Sequence, residues 1–294
     1  MKTYLECIPC FIRQTIDATR KVCDDPAVVE ATLKKVLREI SEFDLDRTPP
    51  EMAQKIHRLI KEETSIDDPY DELKSKSNIV AQKIATEQAS VIAESEFPFA
   101  TAVRFAIAGN IIDFGAKTTW DDELIHGSFA KATEQYVDED CIRRLYDEIA
   151  TAKTVLYLGD NAGESVFDKL LIENFPGDTK VCYAVKESPI INDVTRKEAM
   201  QIKMEDVAEV ISNGADFPGT VISECSEEFV ELFNGADVVI SKGQGNFETL
   251  SSNSRKIYFL FQVKCGVIAE NYGYNLGDWK VIDEVVSHCC SNCR

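Results

Sequence analysis

Histidine is nearly missing from this sequence: His57, His126 and His288 are the whole supply in 294 residues. None follows an apolar run at a strand end. That argues against a histidine-built zinc hydrolase and against a Ser-His-Asp enzyme. His57 reads as a helix surface residue and the other two as solvated. A G-x-G-x-x-G fingerprint is absent after the first strand-like run, which disfavours a nicotinamide enzyme. Basic residues are outnumbered, 32 Lys and Arg against 51 Asp and Glu, for a net charge of −19. Nucleic acid and anionic membranes are bound through basic surface, so neither is expected as a partner. A local basic pocket for a small anion stays open. No uninterrupted apolar run is long enough to span a bilayer. The opening MKTYLECIPCFIRQ carries charges inside any would-be signal core, so a cytosolic setting is expected.

Cysteine is plentiful, with ten residues. Without a secretory signal a disulfide framework is not the default. Cys182 sits in an apolar run and reads as a small core residue. Cys7–Cys10 (CIPC) and Cys290–Cys293 (CSNC) are two CxxC pairs at opposite ends of the chain. Their spacing suits a thiolate metal site, shared or not, a redox pair, or ordinary thiols.

Length and composition suit a globular chain of about two domains. Residues 1–150 read as a helical domain. Val29, Leu33, Val36, Leu37 and Ile40 form one amphipathic stripe, and Met52, Ile56, Leu59 and Ile60 another. Pro49-Pro50, Asp67-Asp68-Pro69 and Glu96-Phe97-Pro98 punctuate the helices. An unusually apolar helix is expected over 99–114, carrying Arg104, Asn110 and Asp113, with further helices over 121–137 and 139–152. Asn110 and Asp113 share a face. In so apolar a helix they form either a buried polar network or one wall of a cleft.

From about Lys153 strands and helices alternate, the pattern of a mainly parallel sheet between helical layers. Residues 151–294 are therefore expected to form a three-layer α/β/α, Rossmann-like domain. Strands are expected at 154–158, 179–185, 207–212, 237–241 and 256–263. Helices are expected over 193–204, 223–233 and 264–271, and the tail from Gly273 reads as irregular. In such a sheet, ligands bind outside the carboxyl ends of the strands.

The strand ends are correspondingly polar. The first run ends in Gly159-Asp160-Asn161-Ala162-Gly163-Glu164. The second is followed by Lys186, Asn192 and Asp193, and the third by Asn213. The fourth is followed by Lys242, Gly243, Asn246 and Glu248, and the fifth by Lys264. Hard oxygens of Asp160, Asn161 and Asp193 suit a divalent cation. Lys242, with backbone from Gly243 to Asn246, suits phosphoryl oxygens. Glu164 reads either as a capping carboxylate or as a holder of metal water. Glu248 orients a substrate hydroxyl or caps a helix. Lys186 and Lys264 read equally as phosphate ligands or as solvated strand-end charges. The chemistry that fits is metal-assisted attack on a phosphate, with Asp160, Asp193 and Lys242 as its catalytic residues.

Five motifs in order resemble the DUF89 family of metal-dependent damage-control phosphatases, in its archaeal and bacterial branch. They are Cys7-Ile-Pro-Cys10, Gly109-Asn110-x-x-Asp113, Gly159-Asp160-Asn161-Ala162-Gly163-Glu164, Asn192-Asp193-Val194-Thr195 and Ser241-Lys242-Gly243-x-x-Asn246-Phe247-Glu248. The resemblance implies a helical domain before an α/β/α domain. It implies Mn²⁺, Mg²⁺, Co²⁺ or Ni²⁺ on Asp160, Asn161 and Asp193, and hydrolysis of small phosphomonoesters. It further places Asn110, Asp113 and Lys242 at the substrate pocket. Two rivals stand beside it. One is an S-adenosylmethionine-dependent methyltransferase, disfavoured because the first loop suits a cation better than a nucleoside. The other is a metal- or sugar-phosphate-binding protein without turnover.

Overall fold

In the computed structural model, residues 1–112, 129 and 132–283 are described. Asp113, His126, His288, Cys290, Cys293 and most of the helix expected over 121–137 lie outside them. Local chemistry sets the first helices. Asp25 accepts from the Ala27 N–H, and Pro26 opens α2 (Pro26–Glu42) after α1 (Cys7–Val22). Pro is pre-organised for a first helical position, and an Asp cap satisfies an orphan donor. Thr48 and Glu51 form a capping box at the start of α3 (Pro49–Thr64). α4 (Asp71–Glu94) and α5 (Pro98–Ala108) follow. The helix expected over 99–114 gives way at Gly109 to a 3-10 turn, Gly109–Ile112, which carries Asn110.

After α6 (Glu139–Thr151), strands and helices alternate as expected: β1 (Thr154–Leu158), α7 (Glu164–Ile172), β2 (Lys180–Val185), α8 (Arg196–Gln201), β3 (Glu209–Ser212), α9 (Glu227–Gly235), β4 (Val238–Lys242), α10 (Gln244–Leu250), β5 (Tyr258–Gln262), α11 (Gly266–Tyr272) and β6 (Trp279–Ile282). β6 is a strand where an irregular tail was expected. Its four residues are too few to show a period, and only pairing with β5 defines it. The sheet order is β3-β2-β1-β4-β5-β6, parallel except for β6. The order reverses between β1 and β4, the place where such sheets open a ligand crevice.

Both faces of the sheet are buried, and the period of two sorts its side chains. Val155, Tyr157, Val181, Tyr183, Val238 and Ile240 meet α4 to α7 in one core. Leu156, Leu158, Cys182, Ala184, Val239 and Phe259 meet α9 to α11 in another. Helices α1 to α3 close a third core around Phe11, Val36, Met52, Ile56 and Ile60. His57 is buried rather than on the surface. Burial, then the nearby Lys61, push its pKa down to about 3, so it is held neutral. Among the described residues no helix is long and apolar enough to cross a membrane.

Phe247 anchors α10 under the crevice, fully buried and stacked on Phe261 at 4.5 Å. Phe247→Ala is expected to cost about 3–5 kcal/mol in urea unfolding, the usual range for a buried aromatic.

Candidate active site

The first loop rises from β1 at the reversal of strand order. Leu158 is level with Ala184 of β2 and Ser241 of β4. Asp160, two residues on, therefore arrives beside Gly243. Gly243 has φ 81°, and a Cβ there would fall 1.9 Å from Asp160 Oδ2. Only glycine allows both the conformation and the approach.

A backbone clasp brings the second acid in. Asn161 and Asp193 form an antiparallel bridge. The Val194 N–H donates to the Asp160 carbonyl at 2.8 Å, and the Ala162 N–H to the Asn192 carbonyl at 2.9 Å. Asp160 and Asn161 are each 8% exposed and Asp193 3%. Burial first, then the charge of Asp193, raise the Asp160 carboxyl to about 7 against the opposing pull of Lys264, Lys186 and Lys242. Two carboxylates in so small a volume favour a bound cation.

Two amides hold the cluster from beside and above. Asn110 Nδ2 donates to Glu164 Oε2 at 2.9 Å and to Asp160 Oδ2 at 3.3 Å. Asn161 Nδ2 donates to the same two oxygens at 3.3 and 3.0 Å. The amide nitrogens thus face the acids. Asn110 Oδ1 is buried with no hydrogen-bond partner among the described residues. Glu164 is no helix cap: it is 1% exposed and turned inward. Burial first, partly offset by Lys242, raises its carboxyl to about 7.

Lys242 stands elsewhere than expected. The period of two along β4 puts it on the face of Val238 and Ile240, toward α7 rather than into the crevice. It is fully buried, and its ammonium donates to Glu164 Oε1 at 2.5 Å, Asp168 Oδ1 at 2.7 Å and the Ala106 carbonyl at 2.8 Å. An ammonium has three N–H donors, and all are taken. Burial works against its charge, but Asp168 and Glu164 outweigh that and raise its pKa. Asp168 also accepts from Tyr157 at 2.7 Å and Tyr183 at 2.9 Å. Lys242 therefore props Glu164 rather than reaching a phosphate.

The other expected residues divide. Asn192, Asn110, Glu248 and Lys264 line a cavity of about 470 Å³ with Asp160, Asn161 and Asp193. Glu248 accepts from Gln244 at 2.8 Å. Burial raises its carboxyl to about 7 against that hydrogen bond and the chain's amino group. Cys7, Cys10 and Cys265 line the same cavity. Lys186 lies just behind, its ammonium 3.6 Å from Asp193 and bonded to the Gly219 carbonyl. Asn246 is a brace: it donates to the carbonyls of Lys242 and Gly159 and accepts from Thr220. Asn213 caps its own turn through the Ala215 N–H. Gly163, at φ 78°, donates its N–H to Asn78 and packs against Ser77 of α4. A larger concavity, about 770 Å³, runs beside the edge strand β3 and contains none of these acids.

A second carboxylate group lies at the start of α4. Asp68, Asp71 and Glu198 bring one oxygen each within 4.8 Å of the others, close enough to share a divalent cation. A cation already stands there: Lys74 is buried, 2.7 Å from Asp68 and 3.1 Å from Glu198.

Residues 3–279 match the model of the damage-control phosphatase ARMT1-like domain. The chain belongs to the DUF89 family of damage-control phosphatases. A damage-control phosphatase of Pyrococcus horikoshii is 33% identical, covering 92% of this chain and 93% of its own. One of Archaeoglobus fulgidus is 30% identical, covering 95% and 98%. The crystal structure of a P. horikoshii DUF89 protein superposes with a TM-score of 0.88 at 31% identity, over 97% of this chain and 99% of that one. Within this DUF89 chain, sequence reasoning missed Asp168, Tyr157 and Tyr183. The spacing of Glu164 and Asp168 was a usable signal, since residues four apart share a helix face.

Asp160 and Glu248 keep protons in the folded chain up to about pH 7, whereas the unfolded chain releases them near pH 4. The folded state thus binds more protons between those values and loses stability as pH rises through them. His57 acts oppositely, but only below its unfolded pKa of about 6.5. Metal-free protein is therefore expected to melt at a lower temperature at pH 8 than at pH 6.5. Asp160→Asn should flatten that difference in a calorimetric scan. Lys242→Met leaves Glu164 and Asp168 buried without their cation, at an expected cost of about 3–5 kcal/mol in denaturant unfolding.

Proposed function

We propose that this chain is a metal-dependent phosphatase that hydrolyses small phosphomonoesters, such as sugar phosphates or damaged phosphometabolites. The observation that carries the reading is the clasp between the exits of β1 and β2. It puts Asp160, Asn161 and Asp193 on one cavity at the switch of strand order. The names of the P. horikoshii and A. fulgidus relatives support the same activity.

The residues fit a hard divalent ion, Mn²⁺, Mg²⁺, Co²⁺ or Ni²⁺. Their donors are oxygens, two of them carboxylates. Asn110 Oδ1 adds a buried acceptor with no hydrogen-bond partner among the described residues. The Asp68–Asp71–Glu198 group fits less well, because Lys74 occupies it. When bound, the ion polarises phosphoryl oxygens and lowers the pKa of water. The chain does the rest. Asp160 and Asp193 hold the reacting end of the site in place. Lys264 on the cavity wall, with Lys186 behind Asp193, offsets phosphate charge. Asn110, Asn192 and Glu248 offer hydrogen bonds to the hydroxyls of the alcohol portion. Apolar Phe11, Pro49 and Val267 shield the cavity from bulk water, which strengthens each polar contact inside.

Metal-stripped protein assayed with p-nitrophenyl phosphate should be inactive, and one of the four ions should restore turnover. Asp193→Asn should lower kcat/KM by about 100-fold or more, the scale of losing an electrostatic contact to the transition state. Asp71→Asn should leave metal rescue intact. Failure of every ion to restore turnover would refute the reading.

A further inference from the structure

The CxxC pair at the head of α1 has no part in the chemistry above, yet it stands on the wall of the same cavity. Cys7 and Cys10 occupy the first turn of α1, with Cys7 half-buried and Cys10 exposed. Three residues apart on a helix, their side chains share a face with Cβ atoms about 5–6 Å apart. A third thiol, Cys265, lies on the α11 side of that cavity. All seven cysteines among the described residues are free. The segment before the pair is anchored: Thr3 bonds to the carbonyls of Leu45 and Arg47, and the Tyr4 hydroxyl donates to Asn271 at 3.0 Å.

We propose that Cys7 and Cys10 are a reversible dithiol, a modification site on the rim of the Asp160–Asp193 cavity that is oxidised by the disulfide of a small thiol. The exposed Cys10 is the attacking residue. Burial raises both thiols, but Arg13, one turn on, opposes this at Cys10. Cys10 loses its proton and attacks one sulfur of the small disulfide, releasing one small thiol. Cys7 loses its proton and displaces the second, forming the Cys7–Cys10 bond. Two thiols of the protein are oxidised and one disulfide is reduced to two thiols, so electrons and protons balance.

Bond formation changes the cavity. A disulfide needs its Cβ atoms about 3.5–4.5 Å apart, so the first turn of α1 must tighten by about 1 Å. Because the residues before it are anchored, that movement falls on the cavity wall that faces Glu248. The acids are carried by other elements and stay in place. Oxidation should therefore alter substrate binding and leave ion binding unchanged.

The test uses the full chain, treated with glutathione disulfide and then with dithiothreitol. Alkylation and peptide mapping should find Cys7 joined to Cys10. Oxidation should raise KM for p-nitrophenyl phosphate by roughly threefold to tenfold, with kcat and Mn²⁺ affinity held, and dithiothreitol should reverse it. Cys7→Ser and Cys10→Ser should each show no response to the oxidant. The KM readout rests on the phosphatase reading, whereas the peptide map does not. A mapped Cys7–Cys10 bond in protein that no ion activates would sink that reading and leave the dithiol standing. Free thiols after oxidation, pairing of either cysteine with Cys265 or with the cysteines at 289–293, or an unmoved KM in active oxidised protein would each overturn the proposal. So would uptake of one Zn²⁺ by the reduced pair that blocks oxidation.

Discussion

Everything at the site depends on holding two buried carboxylates side by side. The Asn161–Asp193 bridge does this with backbone, not side chains. Rigid main-chain hydrogen bonds oppose the repulsion of Asp160 and Asp193, and Gly243 leaves out a Cβ that would fall 1.9 Å from Asp160 Oδ2. Like charges in low dielectric cannot both ionise without a counter-charge. Lys186 and Lys264 supply part of it, and a divalent ion would complete it. The same geometry thus underlies both the raised pKa of Asp160 and the chemistry proposed for the cavity.

A second tier keeps that geometry from relaxing. Lys242, Glu164 and Asp168 form a buried ion cluster closed by two tyrosines. Such a cluster adds little net stability, because each charge must first be dehydrated. Its value lies in direction. It fixes Glu164, Glu164 receives the amide nitrogens of Asn110 and Asn161, and those amides border Asp160. The helical part contributes similarly to the second acid. Lys61 donates to the Pro189 carbonyl at 2.6 Å, Asn78 Nδ2 to the Glu198 carbonyl at 3.1 Å, and Lys74 pairs with Glu198. Helices α3 and α4 therefore clamp both ends of the segment carrying Asp193.

Much of this was legible beforehand. Alternation of short apolar runs with helical stretches after Lys153 announced a parallel sheet, because strands buried on both faces leave continuous apolar runs. A polar loop after each run then marked the edge where Asp160, Asn161 and Asp193 line one cavity. Fine boundaries were less legible. β6 exists only through its pairing, and the apolar helix expected over 99–114 gives way at Gly109 to the 3-10 turn that carries Asn110. His57 shows the same limit, since a single histidine on a helix says nothing of which face another helix will cover.

The order of motifs and the apolar rhythm by themselves determined the family, the layered architecture and the edge of the sheet that carries the acids. Those follow from local covalent order and from the need to bury apolar runs. Only the tertiary structure decided which polar residues meet. Lys242 and Asn246 sit in the same strand-end motif as Glu248, yet they point into the interior while Glu248 faces the cavity. The reason is physical: a strand's period and a helix's turn send neighbouring side chains to opposite sides, and what waits on each side is set by elements distant in sequence.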